Sequence, residues 1–122
     1  MPRFVILEHD YPERHWDFML ETGEKLRTWK LSAPPQLGKT LTAQLSFDHR
    51  IIYLDYEGPV SGNRGTVVRF DKGSFTWNKE DEDHVRIELR GQVLNGTLDL
   101  VREADDRWQM AITQSTPEAM QK

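Results

Sequence analysis

The stretch EHDYPERHWDFMLE, residues 8–21, carries two of the chain's four histidines, His9 and His15, together with Asp17. If residues 15–21 are extended, alternation puts His15, Asp17, Met19 and Glu21 on one face and Trp16, Phe18 and Leu20 on the other. An imidazole and a carboxylate two residues apart then face one point. His9 returns to that point if the segment before Pro12 pairs with the segment after it. Two imidazoles and one carboxylate leave positions open for water and substrate, the pattern of a catalytic divalent-metal site rather than a closed structural one. On spacing alone, two hydrogen-bonded or exposed histidines on an ordinary strand are the plainer reading.

A second group follows in DHRIIYLDYEG, residues 48–58. Read as an extended run over 51–57, it places Tyr53 on the same side as His49, Ile51 and Asp55. An imidazole and a phenol so arranged can hydrogen-bond a phosphoryl oxygen, and the imidazole can stabilise developing charge or protonate a leaving group. A half-buried core aromatic is the plainer reading of Tyr53. His84, after the acidic run KEDEDH (79–84), reads as structural or exposed, and the run itself as a solvated turn.

The elements that must position these groups are short and β-like. Apolar and polar residues alternate in segments punctuated by Gly, Asn, Asp and Pro, which predicts an all-β sandwich or barrel. Expected strands are 3–9, 15–21, 25–31, 41–47, 51–57, 65–71, 74–79, 84–90, 96–102 and 107–113, and ten of them in one chain favour closure. Turn chemistry is expected in ETGEK, in DKGS and at Asn95-Gly96. SAPPQLGK (32–39) and GPVSGNRG (58–65) read as loops able to border a cleft.

With 122 residues the chain is expected to form a single domain over 1–115, with a frayed tail over 116–122. It contains no cysteine, so a metal would have to be held by histidine, carboxylate and water. The first apolar run is too short for a signal peptide and nothing approaches a membrane span, so a soluble, cytoplasmic protein is expected. A formal net charge of −4 argues against coating nucleic acid by electrostatics alone, while leaving room for an enzyme that grips one strand end.

The stretch EHDYPERHWDFMLE closely resembles the opening motif of the 3′-phosphoesterase domain of bacterial DNA ligase D, H-D-x-x-x-x-H-x-D-F-x-L-E. LRTWKL, DHRIIYLDYEG, GTVVRFDKGSF, IELRGQVLNGTLDLVR and RWQMAI resemble further family segments in the same order. The resemblance implies a small closed antiparallel β-barrel with a crevice holding the site. The implied activity trims nucleic-acid 3′ ends during DNA break repair, removing a 3′-phosphate and resecting a terminal ribonucleotide, with a divalent metal, typically manganese. Carried over by position, the metal ligands would be His9, His15 and Asp17, and the phosphate-contacting catalytic pair His49 and Tyr53. Asp10 and Glu21 would support ligands or loops. Nucleic-acid 3′ ends are then the expected partner, any ligase or polymerase a separately encoded one, and no membrane is involved.

The departures bear on activity. The family usually places an arginine where this chain has Met19, on the ligand face, and further basic residues fall near Ala33 and Leu41. Losing one charge-assisted hydrogen bond costs roughly 1.5–3 kcal/mol, so two or three losses weaken catalysis unless Lys30, Arg50 or Arg64 substitutes. Two other functions stay open on this reading. One is a metal- and strand-end-binding module that has lost turnover, and the other is a phosphoesterase acting on a different phosphate ester.

Overall fold

Among the described residues, alternating burial builds ten strands: β1 (Arg3–His9), β2 (His15–Thr22), β3 (Lys25–Leu31), β4 (Thr40–Leu45), β5 (His49–Arg50), β6 (Gly58–Pro59), β7 (Thr66–Glu80), β8 (His84–Gly91), β9 (Asn95–Ala104) and β10 (Arg107–Thr113). The structure, a computed structural model, describes residues 1–114, so the expected tail lies outside the described residues. No helix among these is long and apolar enough to cross a membrane.

The sheet runs β1-β2-β3-β4-β10-β9-β8-β7, and β7 pairs back onto β1, closing an antiparallel barrel of eight strands. The long strand β7 makes closure possible. Its first half pairs with β1 and its second half with β8, with a register shift in each ladder. Such shifts add the local bend and twist that a small barrel needs.

Inward-facing residues fill the barrel. Phe18 packs on Trp29 at a ring separation of 6.4 Å, and Trp29 meets the edge of Trp108 at 5.4 Å. Both tryptophans are fully buried, and Phe4, Phe75 and Ile87 join the same cluster. Each such aromatic contact adds about 0.5–1.5 kcal/mol beyond burial of area.

A second apolar cluster lies on the opposite side of the same wall. Val5 and Leu7 of β1, Met19 of β2, Leu26 of β3 and Val67 of β7 point outward yet are buried. The segment from 46 to 65 covers them. Its short 3-10 turn, Ile51–Leu54, inserts Leu54 into this cluster, while Ile51, Tyr53, Tyr56 and Val60 pack around it. Polar clips hold the segment down. Asp55 takes Arg3 at 2.6 Å and Lys72 at 3.5 Å, and the Glu57 carboxylate accepts from the Arg69 main-chain N–H at 2.7 Å.

Four sequence expectations are corrected. Residues 51–57 are a 3-10 turn and loop rather than a strand, because insertion of Leu54 and the Arg3–Asp55 pair fix that conformation. The segments 65–71 and 74–79 are one strand, so DKGS is no turn. Gly73 sits where the Arg90 carbonyl of β8 comes too close for a side chain. The β8–β9 turn falls at Gln92 and Val93, with Asn95 and Gly96 already in β9. Strand β4 ends at Leu45, and residues 46–48 cross over to the outer face.

Candidate metal centre and its cavity

Pairing of β1 with β2 sets His9 directly opposite His15, and alternation turns both outward together with Asp17. The imidazole rings lie 5.0 Å apart. His15 Nε2 is 3.3 Å from Asp17 Oδ1, and His9 Nδ1 is 3.9 Å from Asp17 Oδ2. One ligand atom from each of the three residues lies within 4.8 Å of the others, and His15 and Asp17 are 7% and 5% exposed.

The hydrogen bonds on the far side of each ring decide what these atoms can do. A carbonyl oxygen only accepts, so His15 Nδ1–H donates to the Glu13 carbonyl at 2.8 Å, and His9 Nε2–H donates to the Arg64 carbonyl at 2.8 Å. In the neutral rings the remaining nitrogens, Nε2 of His15 and Nδ1 of His9, are lone pairs aimed toward the Asp17 carboxylate. Lone pairs and a carboxylate gathered in a nearly dry place repel one another unless a cation sits among them. Carbonyl bonds that fix the tautomer of ligating imidazoles are a common support of metal sites. The protonation equilibrium carries the same preference for positive charge. The hydrogen bond with Asp17 raises the His15 pKa above its ordinary 6.5, against the lowering effect of burial, and the Glu13 carbonyl adds to the rise.

Two contacts hold the β1–β2 turn over this point. Asp10 Oδ1 accepts from the Thr66 N–H at 2.8 Å, and Gly65, at φ +80°, presses against Asp10 and Tyr11 where a Cβ would collide. The same turn and loop carry the Arg64 carbonyl that orients His9. Glu21 lies elsewhere. Its carboxylate accepts from the Arg3 N–H at 2.8 Å, toward the other end of the strand pair.

The three residues open into a cavity of 450 Å³ between the outer barrel face and the 46–65 segment. His49 and Tyr53 line it as well, with ring centroids 5.9 Å apart. They meet by a different route from the expected one, since β5 anchors His49 to Leu26 of β3 and the 3-10 turn then brings Tyr53 round. His49 Nδ1–H donates to the Phe47 carbonyl at 3.0 Å, leaving Nε2 for the cavity.

Met19 is fully buried in the cavity floor, where it belongs to the outer apolar cluster. Ala33 and Leu41 do not line the cavity, and Leu41 packs against the barrel core. Three other cations do line it. Lys30 of β3 is the cross-strand neighbour of Asp17, Arg50 follows His49, and Arg64 donates to the Ser61 carbonyl at 2.7 Å. His84 is remote from the cavity, where its Nε2 lies 2.8 Å from Asp99. Sequence reasoning missed Phe47 and Tyr11 on the cavity rim. The signal for Phe47 was an aromatic two residues before His49 in the otherwise polar stretch SFDHR.

The family model of the DNA Ligase D 3′-phosphoesterase domain matches residues 7–102. The multifunctional non-homologous end joining protein LigD of Pseudomonas aeruginosa is 30% identical over 111 residues, 82% of this chain and 13% of that protein. The protein of that name from Mycobacterium bovis, and the multifunctional non-homologous end joining DNA repair protein LigD of Mycobacterium tuberculosis, are each 31% identical over 114 residues. The chain therefore spans only 13–15% of the length of these relatives.

Proposed function

The chain belongs to the DNA ligase D 3′-phosphoesterase domain family, and on that premise we propose that its cavity hydrolyses phosphate esters at nucleic-acid 3′ ends in DNA break repair. The observation that carries this reading is the convergence of His9 Nδ1, His15 Nε2 and the Asp17 carboxylate on one point, with both imidazoles locked by carbonyls behind them. That donor set, two imidazoles and a carboxylate, fits a divalent first-row cation, manganese on the family resemblance. When bound, such an ion supplies neutralisation of phosphoryl oxygens and activation of a water molecule.

The chain's own residues do the remaining work. His49, with Nδ1–H committed to the Phe47 carbonyl, offers Nε2 to the cavity and, when protonated, gives that proton to the departing 3′ oxygen as the phosphorus–oxygen bond breaks. Tyr53, held edge-on to His49, donates its hydroxyl to a phosphoryl oxygen. Lys30, Arg50 and Arg64 supply positive charge on a cavity wall where Met19 supplies none. Both removal of a 3′-phosphate and resection of a terminal ribonucleotide use this arrangement, and any ligase or polymerase partner acts on the repaired end.

Purified protein with manganese is expected to release phosphate from a 3′-phosphorylated primer-template, and His15→Ala to abolish the release. No release above the His15→Ala background overturns the reading. A second function is favoured by the buried, uncharged Met19: a module that binds metal and strand ends without turnover. Manganese-dependent binding of 3′-phosphate ends with no product would select it. Preference for a small phosphate ester over a nucleic-acid end in a substrate panel would select a different phosphoesterase.

A further inference from the structure

Phe47 is 72% exposed, an unusual position for a phenylalanine whose main chain is held on both sides. Just before it, the Ser46 N–H donates to the Thr28 carbonyl at 2.9 Å; just after it, His49 and Arg50 pair with Leu26 and Lys25 of β3. Its own carbonyl receives the His49 ring N–H. The side chain is thus displayed from a fixed backbone rather than left on a loose loop, and the chain forgoes the stabilisation that burying it would bring.

The ring is also oriented. One face stacks on His49, with centroids 4.7 Å apart and planes 25° from parallel. His49 in turn meets the edge of Tyr53 at 5.9 Å, and Tyr53 meets Tyr56 at 5.8 Å. Phe47 is the outermost member of this aromatic series and leaves its second face to solvent at the cavity rim. Tyr11, 44% exposed, stands on the β1–β2 turn and lines the same cavity.

We infer that Phe47 is the stacking platform for the terminal nucleobase of a 3′ end whose phosphate lies in the cavity. The inference rests on the functional reading given above and adds what that reading lacks, a contact that distinguishes a nucleotide from a bare phosphate ester. The occupant follows from position. A group on the free face of Phe47 is one ring removed from the imidazole that meets the phosphate, and base and phosphate of one nucleotide are joined through a single sugar. A flat, unsaturated, uncharged partner is what an exposed phenyl face takes, and every base presents such a face, so the contact reads no sequence. Arg50, next to His49 and lining the cavity, is placed for the backbone charge that accompanies the base.

Phe47→Ala is expected to raise KM for a 3′-phosphorylated oligonucleotide roughly 5- to 150-fold, the range of one base–aromatic stack, with kcat little changed. The loss should vanish on an end whose terminal nucleotide is abasic, and Phe47→Tyr should restore wild-type behaviour. Quenching of a terminal 2-aminopurine on manganese-dependent binding gives a readout that needs no turnover; it should occur with wild-type protein and not with Phe47→Ala. Equal losses on base-bearing and abasic ends, or unaltered binding and quenching in Phe47→Ala, overturn the platform while leaving the functional reading in place. Failure of wild-type protein both to bind and to process 3′-phosphate ends overturns the functional reading, and the platform with it.

Discussion

Two carboxylates are withdrawn from water in this barrel, and they are compensated in opposite ways. Asp71, 1% exposed in β7, lies against the β8–β9 turn, where Oδ1 accepts the N–H groups of Lys72, Gln92 and Val93 at 2.8, 2.8 and 3.0 Å and Oδ2 accepts that of Leu94 at 2.8 Å. Gly91 packs so tightly on Asp71 that a side chain there would collide with the carboxylate. Asp17, 5% exposed in β2, has two imidazoles for neighbours and shares its oxygens with a cavity. The main chain satisfies the first carboxylate, which then serves as the fastening of a turn. The second is satisfied by an arrangement that favours a cation, and it stays accessible to chemistry. Burial of an acidic group therefore says little about its role until its donors are counted.

Removing each carboxylate separates fastening from chemistry. Asp71→Ala removes the carboxylate from four main-chain donors, of which Gln92 keeps the Lys72 carbonyl at 3.1 Å, and since each buried unsatisfied group costs about 1–3 kcal/mol, a loss of about 3 kcal/mol is expected. Urea denaturation of the metal-free protein measures it, and activity should fall only in step with folding. Asp17→Ala should reverse the pattern. Activity is expected to drop more than about 100-fold, beyond the usual cost of disturbing a mere support of a ligand, while the urea midpoint without metal changes little. Manganese at about 100 times its dissociation constant should stabilise the wild type by about 2.7 kcal/mol and leave Asp17→Ala unmoved. Equal destabilisation by the two substitutions, with metal response retained in Asp17→Ala, would erase the distinction.

The smallest effect comes from a third acid. Burial tends to raise the Asp99 pKa, but hydrogen bonds from His84 and Arg86 outweigh it and hold the carboxyl below its ordinary 3.8. A lowered folded-state value stabilises the protein above pH 3.8 and loses that contribution as pH falls through the folded pKa. For these half-buried, solvent-screened contacts the amount is about 1 kcal/mol or less. Asp99→Asn should accordingly lower stability slightly at neutral pH and remove that part of the acid dependence in urea titrations, with manganese response unchanged.

The same contrast governs what the sequence made legible. The barrel strands announce themselves by alternation, and in β2 the alternation also separates His15 and Asp17 from Phe18 and Leu20. Three barrel strands, β1, β3 and β10, have the expected bounds. Where local pattern misled, a long-range contact had overruled it. Ile51, Tyr53 and Asp55 alternate like a strand, yet Leu54 enters the outer cluster and the backbone coils to let it in. Asp71 and Gly73 have turn chemistry, but one accepts the N–H groups of another turn and the other makes room for a neighbouring strand's backbone. The candidate set of His9, His15 and Asp17 came from the strand face together with the family resemblance, and the structure brings the three side chains together. The Arg64 carbonyl behind His9 could not be foreseen, because 55 residues separate the partners and a main-chain oxygen leaves no mark in residue identity.

The cavity lies outside the barrel, against a wall only one strand thick, and β2 serves both sides of that wall. A slip of β2 by one residue would carry Trp16, Phe18 and Leu20 into the cavity and send His15 and Asp17 into the apolar interior. The chain thus has no ready way to close its barrel and misplace this cluster. Correct closure is itself the proofreading of the site, and a molecule that has folded has, by the same act, aligned His9, His15 and Asp17.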